Sequence, residues 1–275
     1  MKECTDMITA SIVLYHTKKE QLERVINSYL PSENRKLYLI DNSEIEGCNF
    51  DEKPFITYIR NKKNIGYGSA HNIAIKKAIE EKSQYHIVIN PDIYFESKII
   101  DELVKYADEN EDVVYILPKV IYPNGDTQYL CKLLPTPMDL IFRRFFPNIG
   151  IFKKMNDKYE LKESGYDKII NPPCLSGCFM FMRTESLAQY NLLFDERFFM
   201  YCEDFDLMRR MHRIGKTIFY PYVTIVHEHE MGSYKNKKML LMHIKSACLY
   251  FYKYGWFIDK ERNRENRKIL RQIES

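Results

Sequence analysis

The sequence predicts an α/β protein built on a mainly parallel central sheet flanked by helices. Short runs of β-branched and apolar residues alternate with segments of helical spacing through the first half of the chain. Several of the predicted strands run straight into polar residues, as strands do where an α/β sheet binds ligands. No internal repeat or long linker divides the 275 residues, so one domain is expected over 1–275.

The elements follow in order. Residues 8–15 (ITASIVLY) read as a buried strand. Residues 18–30 place Leu22, Val25, Ile26 and Tyr29 on one helical face, and Pro31 ends that helix. Residues 36–40 and 55–59 are two further strands. Residues 66–81 form a helix, residues 85–89 (YHIVI) a strand, 97–109 a helix and 113–117 a strand. The second half is less regular. Residues 135–147 are expected to form a helix facing an acceptor, and 171–183 a turn and a strand. Residues 203–214 open with acids and close with arginines, matching a helix dipole, and Gly215 stops them. Two short strands are expected at 217–220 and 223–226, then one final helix over 235–257.

Composition narrows the function. Hydrophobic residues at 45% and charged residues at 29% fit a globular chain with a full core. A net charge of +3 is too small to point to nucleic acid. The 21 Tyr and 16 Phe suit either an aromatic core or a surface that stacks on carbohydrate. Seven scattered Cys, with no C-x-x-C pair, fit a reduced cytoplasmic protein without a zinc site. Neither a signal peptide nor a spanning helix is expected.

Three strand ends should meet at one sheet edge: Tyr15–His16, Asp41-Asn42-Ser43 and Asn90-Pro91-Asp92. Asp41 could accept a hydrogen bond from a nucleobase, and Asp92 could ligate a metal bound to a diphosphate. Each is equally readable as a turn residue or helix cap. Residues 64–72 (NIGYGSAHN) form a glycine-containing loop feeding a helix, a place where backbone can approach a phosphate. Neither a dinucleotide fingerprint nor a P-loop is present. Glu203, Asp204 and Asp206 crowd three carboxylates into four positions, as caps or with one of them as a general base. His227 and His229 alternate along a strand end, as metal ligands or as ordinary histidines.

In this order the motifs SIVLYHT, LIDNS, NIGYGSAHN, VINPD, LSGCFMFMR, FDERFFMYCEDFDL and HEHEMGS resemble family 2 glycosyltransferases, in particular their bacterial rhamnosyltransferase-like branch. The resemblance spans about residues 8–254. It implies a GT-A fold, with a nucleotide-sugar half over about 1–118 and an acceptor-binding, catalytic half over about 119–275 that ends in a helix. It implies donor contacts from Tyr15, Asp41, Asn64, Gly66, Asn72 and Asp92. Asp92 and His229 become ligands of Mg²⁺ or Mn²⁺, with His227 as a helper. Asp204 becomes the catalytic base, and Gly177 and Glu203 take acceptor-side positions. Asn-Pro-Asp stands where the family's paired acids would be, leaving one carboxylate for the metal.

The resemblance further implies inverting transfer from dTDP-L-rhamnose, or alternatively a UDP-sugar, to a saccharide or lipid-linked acceptor in cell-surface polysaccharide synthesis. Peripheral contact with the inner membrane surface and oligomerisation stay open. A nucleotidylyltransferase would carry a Gly-rich loop after the first strand, where this chain has HTKKEQ. A non-catalytic nucleotide-sugar-binding protein would have no need of Asp204, Asp92 and His229.

Overall fold

The computed structural model describes residues 5–30, 32–45, 53–142, 150–228 and 237–274. Eight strands form one sheet in the order β3-β2-β1-β4-β9-β6-β10-β5. They are β1 (Thr5–Leu14), β2 (Arg35–Asp41), β3 (Ile56–Arg60), β4 (Ser83–Ile89), β5 (Ile93–Tyr94), β6 (Val113–Ile121), β9 (Phe179–Arg183) and β10 (Lys216–His227). A small separate ladder pairs β7 (Cys131–Lys132) with β8 (Cys174–Leu175). The pairs β1–β2, β1–β4, β2–β3 and β6–β10 are parallel, as expected. The strand expected within 171–183 is β9, which runs antiparallel between β4 and β6, a direction the sequence did not announce.

Helices α1 (Lys19–Tyr29), α2 (Tyr67–Glu80) and α3 (Ile99–Glu109) fall where the spacing places them. α1 buries Leu22, Val25, Ile26 and Tyr29, the face read from the sequence. Fully buried Thr9 and Ser11 interrupt the apolar run of β1. A buried polar row pairs them: Thr9 Oγ1 lies 2.8 Å from His86 Nδ1, and Ser11 Oγ bridges His86 Nε2 at 2.9 Å and His71 Nδ1 at 2.7 Å. Burial holds the His86 imidazole down to about 3 and His71 well below its ordinary value, so both rings are neutral core residues.

The second half departs from expectation in four places. The two short strands at 217–220 and 223–226 are one strand, β10. Pro221 lacks an N–H, and the register with β6 skips between Tyr220 and Thr224 to accommodate it. Within 135–147 the described part is a π-helical turn, Met138–Phe142, rather than a full helix. Helices α4 (Gly150–Tyr159) and α5 (Thr184–Gln189) were not expected. The helix expected over 235–257 is α7 (Lys237–Tyr254), and a further helix that was not expected, α8 (Lys260–Glu274), follows it. Gly255 breaks them apart at φ +103°, where an added Cβ would meet Ile258 O at 2.5 Å. No helix among the described residues is long and apolar enough to cross a membrane.

The C-terminal pair is fastened to α6 (Glu203–His212) by charge and by packing. Tyr250 and Phe251 of α7 share a second core with Leu134, Phe198, Cys202 and Phe205. Arg209 makes two 2.7 Å bonds to Asp259, and Arg209 and Arg213 together grip Glu261. The Arg209 and Asp259 side chains are each only 3% exposed. Arg209→Met would leave the Asp259 carboxylate buried without its partner. A loss of about 3–5 kcal/mol is expected in chemical denaturation, and a change under 1 kcal/mol would show that the pair is not what holds α8.

Candidate active site

Parallel β1, β2, β4 and β10 all end at one sheet edge, and antiparallel β9 begins there, since Ile89 pairs with Phe179. This reversal carries Ser176-Gly177-Cys178 to the same edge as Tyr15, Asp41 and Asp92. Backbone bonds stitch the parts together. Asn42 N donates to Leu14 O, Asn90 N to Cys178 O and Glu228 N to Asp92 O, each at 2.9–3.0 Å.

The residues expected to bind the donor divide into two groups. Tyr15 stands 47% exposed at the end of β1, its ring edge-on to His16. Asp41, by contrast, is fully buried. Its Oδ1 accepts the Ser43 N–H at 2.7 Å and its Oδ2 accepts the Tyr58 hydroxyl, which is the turn-closing role open to an Asp after a strand. Asn64 Oδ1 accepts the Gly66 N–H at 2.9 Å and sets the loop. Gly66, at φ +91°, is needed for a contact within the protein: a Cβ there would lie 2.5 Å from Phe199 O. Asn72 is buried and brackets Phe194, taking its N–H and donating to its carbonyl, both at 2.9 Å. Gly66 and Asn72 thus tie the loop at 64–72 to residues 194–199.

Asp92 meets His227. Their Oδ1 and Nε2 atoms are 3.3 Å apart. Gln128 decides which ring nitrogen carries the proton. Its Nε2 donates to His227 O at 2.8 Å, so its Oε1 must be the atom 2.9 Å from His227 Nδ1. Nδ1 therefore bears hydrogen, and Nε2 is the nitrogen that faces the carboxylate. Two acceptors so placed fit a shared cation, and a carbonyl oxygen behind the ring is the usual support for a metal-binding histidine. His229 lies outside the described residues. Among the described residues no cluster of three or more ligating side chains forms, so Asp92 and His227 could offer a cation two side-chain ligands. The sequence offered no signal for Gln128, which sits in the primary sequence 99 residues from the histidine it orients.

Asp204 lies across the same edge. Its Oδ2 accepts the Gly177 N–H at 3.2 Å and its Oδ1 the Phe205 N–H at 2.8 Å. Tyr67 hydroxyl lies between Asn90 Oδ1 at 2.9 Å and Gly177 O at 3.0 Å, linking the Asp92 turn to the Asp204 contact. Burial above all, with the charges of Asp92 and Asp204, pushes the nearby Cys178 thiol up to about 12. Tyr201 and Cys202 are both left-handed, at φ 69° and 63°. Such residues cost on the order of 1–3 kcal/mol each. They turn the chain so that Glu203 and Asp204 open α6 at the edge.

The three acids of this cluster have separate fates. Asp206 is fully buried and paired with Lys253, Tyr254 and Arg210. Glu203 is buried, and its Oε2 has no hydrogen bond among the described residues. Burial first, then the Asp204 charge, raises its carboxyl to about 8, so it holds its proton at neutral pH. Burial raises Asp204 too, while Lys132 opposes the shift. The two adjacent carboxyls therefore titrate as a pair. Glu203 rises from 4.5 on unfolding to about 8 in the fold, so its contribution to stability falls as pH climbs through that window. Glu203→Gln removes this loss. The melting temperature of the variant relative to wild type is expected to rise from pH 5 to pH 8, and a difference independent of pH would count against a protonated Glu203.

Comparisons with known proteins identify the family and the fold. The family model described as "Glycosyl transferase family 2" matches residues 11–190. Rhamnosyltransferase WbbL of Escherichia coli is 27% identical over 196 residues, covering 67% of this chain and 69% of that protein. An N-acetylglucosaminyl-diphospho-decaprenol L-rhamnosyltransferase of Mycobacterium tuberculosis is 24% identical over 266 residues, covering 90% of this chain and 84% of that one. Among solved structures, GalNAc-T7 with UDP, GalNAc and Mn²⁺ superposes at TM-score 0.60 and 15% identity over 93% of this chain. S. aureus TarS superposes at 0.55 and 14% identity over 98%. This chain spans 50% and 43% of those two chains, and the likeness establishes the GT-A fold. With the matched family model covering more than half its length, the chain belongs to glycosyl transferase family 2 and is a hexosyltransferase.

Proposed function

We propose that the protein is an inverting, metal-dependent glycosyltransferase that moves L-rhamnose from dTDP-L-rhamnose to a saccharide or lipid-linked acceptor at a cytoplasmic site of cell-surface polysaccharide synthesis. The observation that carries this reading is the Asp204 carboxylate, held by the Gly177 N–H on the same edge as the Asp92–His227 pair. Asp204 takes the proton of the acceptor hydroxyl as its oxygen attacks the anomeric carbon. The nucleoside diphosphate leaves from the opposite face, and the configuration inverts. Neutral Glu203 spares Asp204 a second negative charge in the same buried space. A bound Mg²⁺ or Mn²⁺ would be held by Asp92 and His227, with His229 as a further candidate, and would neutralise charge on the departing diphosphate. Tyr15 offers an exposed ring for the base of the donor.

The names of the two curated relatives favour rhamnose as the sugar. UDP-sugars are the second reading, because TarS and GalNAc-T7 are recorded with UDP. A thermal-shift comparison of dTDP-L-rhamnose, UDP-glucose and UDP-N-acetylglucosamine, each with Mn²⁺ and with EDTA, separates them. The largest stabilisation is expected from dTDP-L-rhamnose with Mn²⁺. Equal shifts with EDTA would remove the metal from the proposal, and a larger UDP-sugar shift would replace the donor. Asp204→Asn is expected to fold normally and to lose about 10²–10⁴-fold in kcat. Turnover like wild type would take Asp204 out of the role.

A further inference from the structure

We infer that the α7–α8 corner and the outer face of α8 form a docking surface for an anionic lipid membrane. Trp256, Phe257 and Ile258 occupy the corner, with Tyr252 one turn earlier on α7. Phe257 and Tyr252 are 85% exposed, Ile258 83% and Trp256 36%. Four neighbouring large apolar side chains left in water are costly unless something covers them. Trp256 is not loose, since its ring packs against Phe251 at 5.2 Å. Further back on the same outward stripe of α7 lies Leu241, 68% exposed.

α8 begins two residues after Ile258 and sorts its charges by face. Two of its three acids turn toward α6: Glu261 binds Arg209 and Arg213, and Glu265 lies beside His212 while it also pairs with Arg264; Glu274, at the end of the helix, is exposed. Arg262 and Ile269 are buried. Lys260, Arg264, Arg267, Lys268 and Arg271 remain, all exposed and recurring at helical spacing on the outer face. Five cations on one face of a chain whose net charge is only +3 is a segregated charge. An apolar aromatic tip continuous with a cationic helix face matches a surface that is anionic outside and apolar just beneath. A nucleic acid would engage the cations and leave Phe257 and Ile258 uncovered. A second copy of the chain would bring its own cations against these.

The inference stands apart from the choice of donor. The inner side of α7 packs on Phe198, Cys202 and Phe205, directly beside Asp204, so a docked α7 would hold the acceptor side of the site close to the lipid. Trp256 is the only tryptophan in the chain and serves as the probe. Full-length protein is mixed with vesicles of phosphatidylglycerol and phosphatidylcholine at roughly 1:2, and with pure phosphatidylcholine. Flotation with the anionic vesicles, a blue shift of Trp256 emission and quenching by brominated lipid are expected, with little binding to phosphatidylcholine or in high salt. The Arg264→Gln, Arg267→Gln and Arg271→Gln triple variant should bind about 10²-fold more weakly. Phe257→Ser with Ile258→Ser should lose flotation while hydrolysing donor normally, so failure here is distinct from failure of the catalytic reading. Absence of binding to anionic vesicles, or binding unchanged in both variants, overturns the inference. So does a concentration-dependent dimer abolished by the serine variant, or binding of nucleic acid without binding of vesicles.

Discussion

The backbone of Gly177 passes against Asp204 so closely that a Cβ on residue 177 would sit 2.9 Å from the Asp204 Cβ. That contact lets a backbone N–H reach a carboxylate that is otherwise surrounded by protein. It depends on β9 running backwards through the sheet, which delivers residue 177 to the edge where β4 ends. It depends also on two left-handed residues that swing the start of α6 toward it. The second core under α7 holds those residues in place, and the Arg209–Asp259 pair fastens the helix that follows. The acid–base chemistry at one edge is thus tied to charge pairing at the opposite end of the chain.

The electrostatics at that edge follow from unequal environments. Glu203 and Asp204 are adjacent and both desolvated, but only Asp204 receives backbone hydrogen bonds from other residues and the field of Lys132. The result is two adjacent carboxyls held in different surroundings within a single helical turn. Asp92 is placed differently. It shares its space with His227, whose far nitrogen is held by Gln128 and whose near nitrogen faces the carboxylate. Tyr67 hydroxyl joins the two centres by bonding to the backbone or side chain of each flank.

The parallel half of the fold was legible in the sequence because its strands are apolar runs and its helices keep a clean buried face. Asp92, Asp204 and Gly177 were legible because each sits in a motif at a strand or helix end. Gln128, Lys132 and Tyr67 were not, since their parts arise from contacts across the fold and leave no local pattern. Asp41 and Asn72 show the opposite effect. Their positions were marked, and contacts the sequence did not show tie each into the fold: Asp41 closes a turn and Asn72 brackets Phe194. The division into α7 and α8 escaped notice because Trp256-Phe257-Ile258 continues an apolar pattern through the glycine that ends the helix.

The reversed strand also imposes an order of assembly. β4 and β6 flank β9 in space, but β9 lies about sixty residues beyond β6 in the chain, with residues 122–178 between them. During synthesis β3, β2, β1 and β4 can pair as soon as they emerge, because their partners are near in sequence. β6 has neither neighbour at that stage, since β9 and β10 are still to be made. Until residues 179–227 appear, the growing sheet carries an open edge at β4, and that edge is the segment most exposed to wrong pairing.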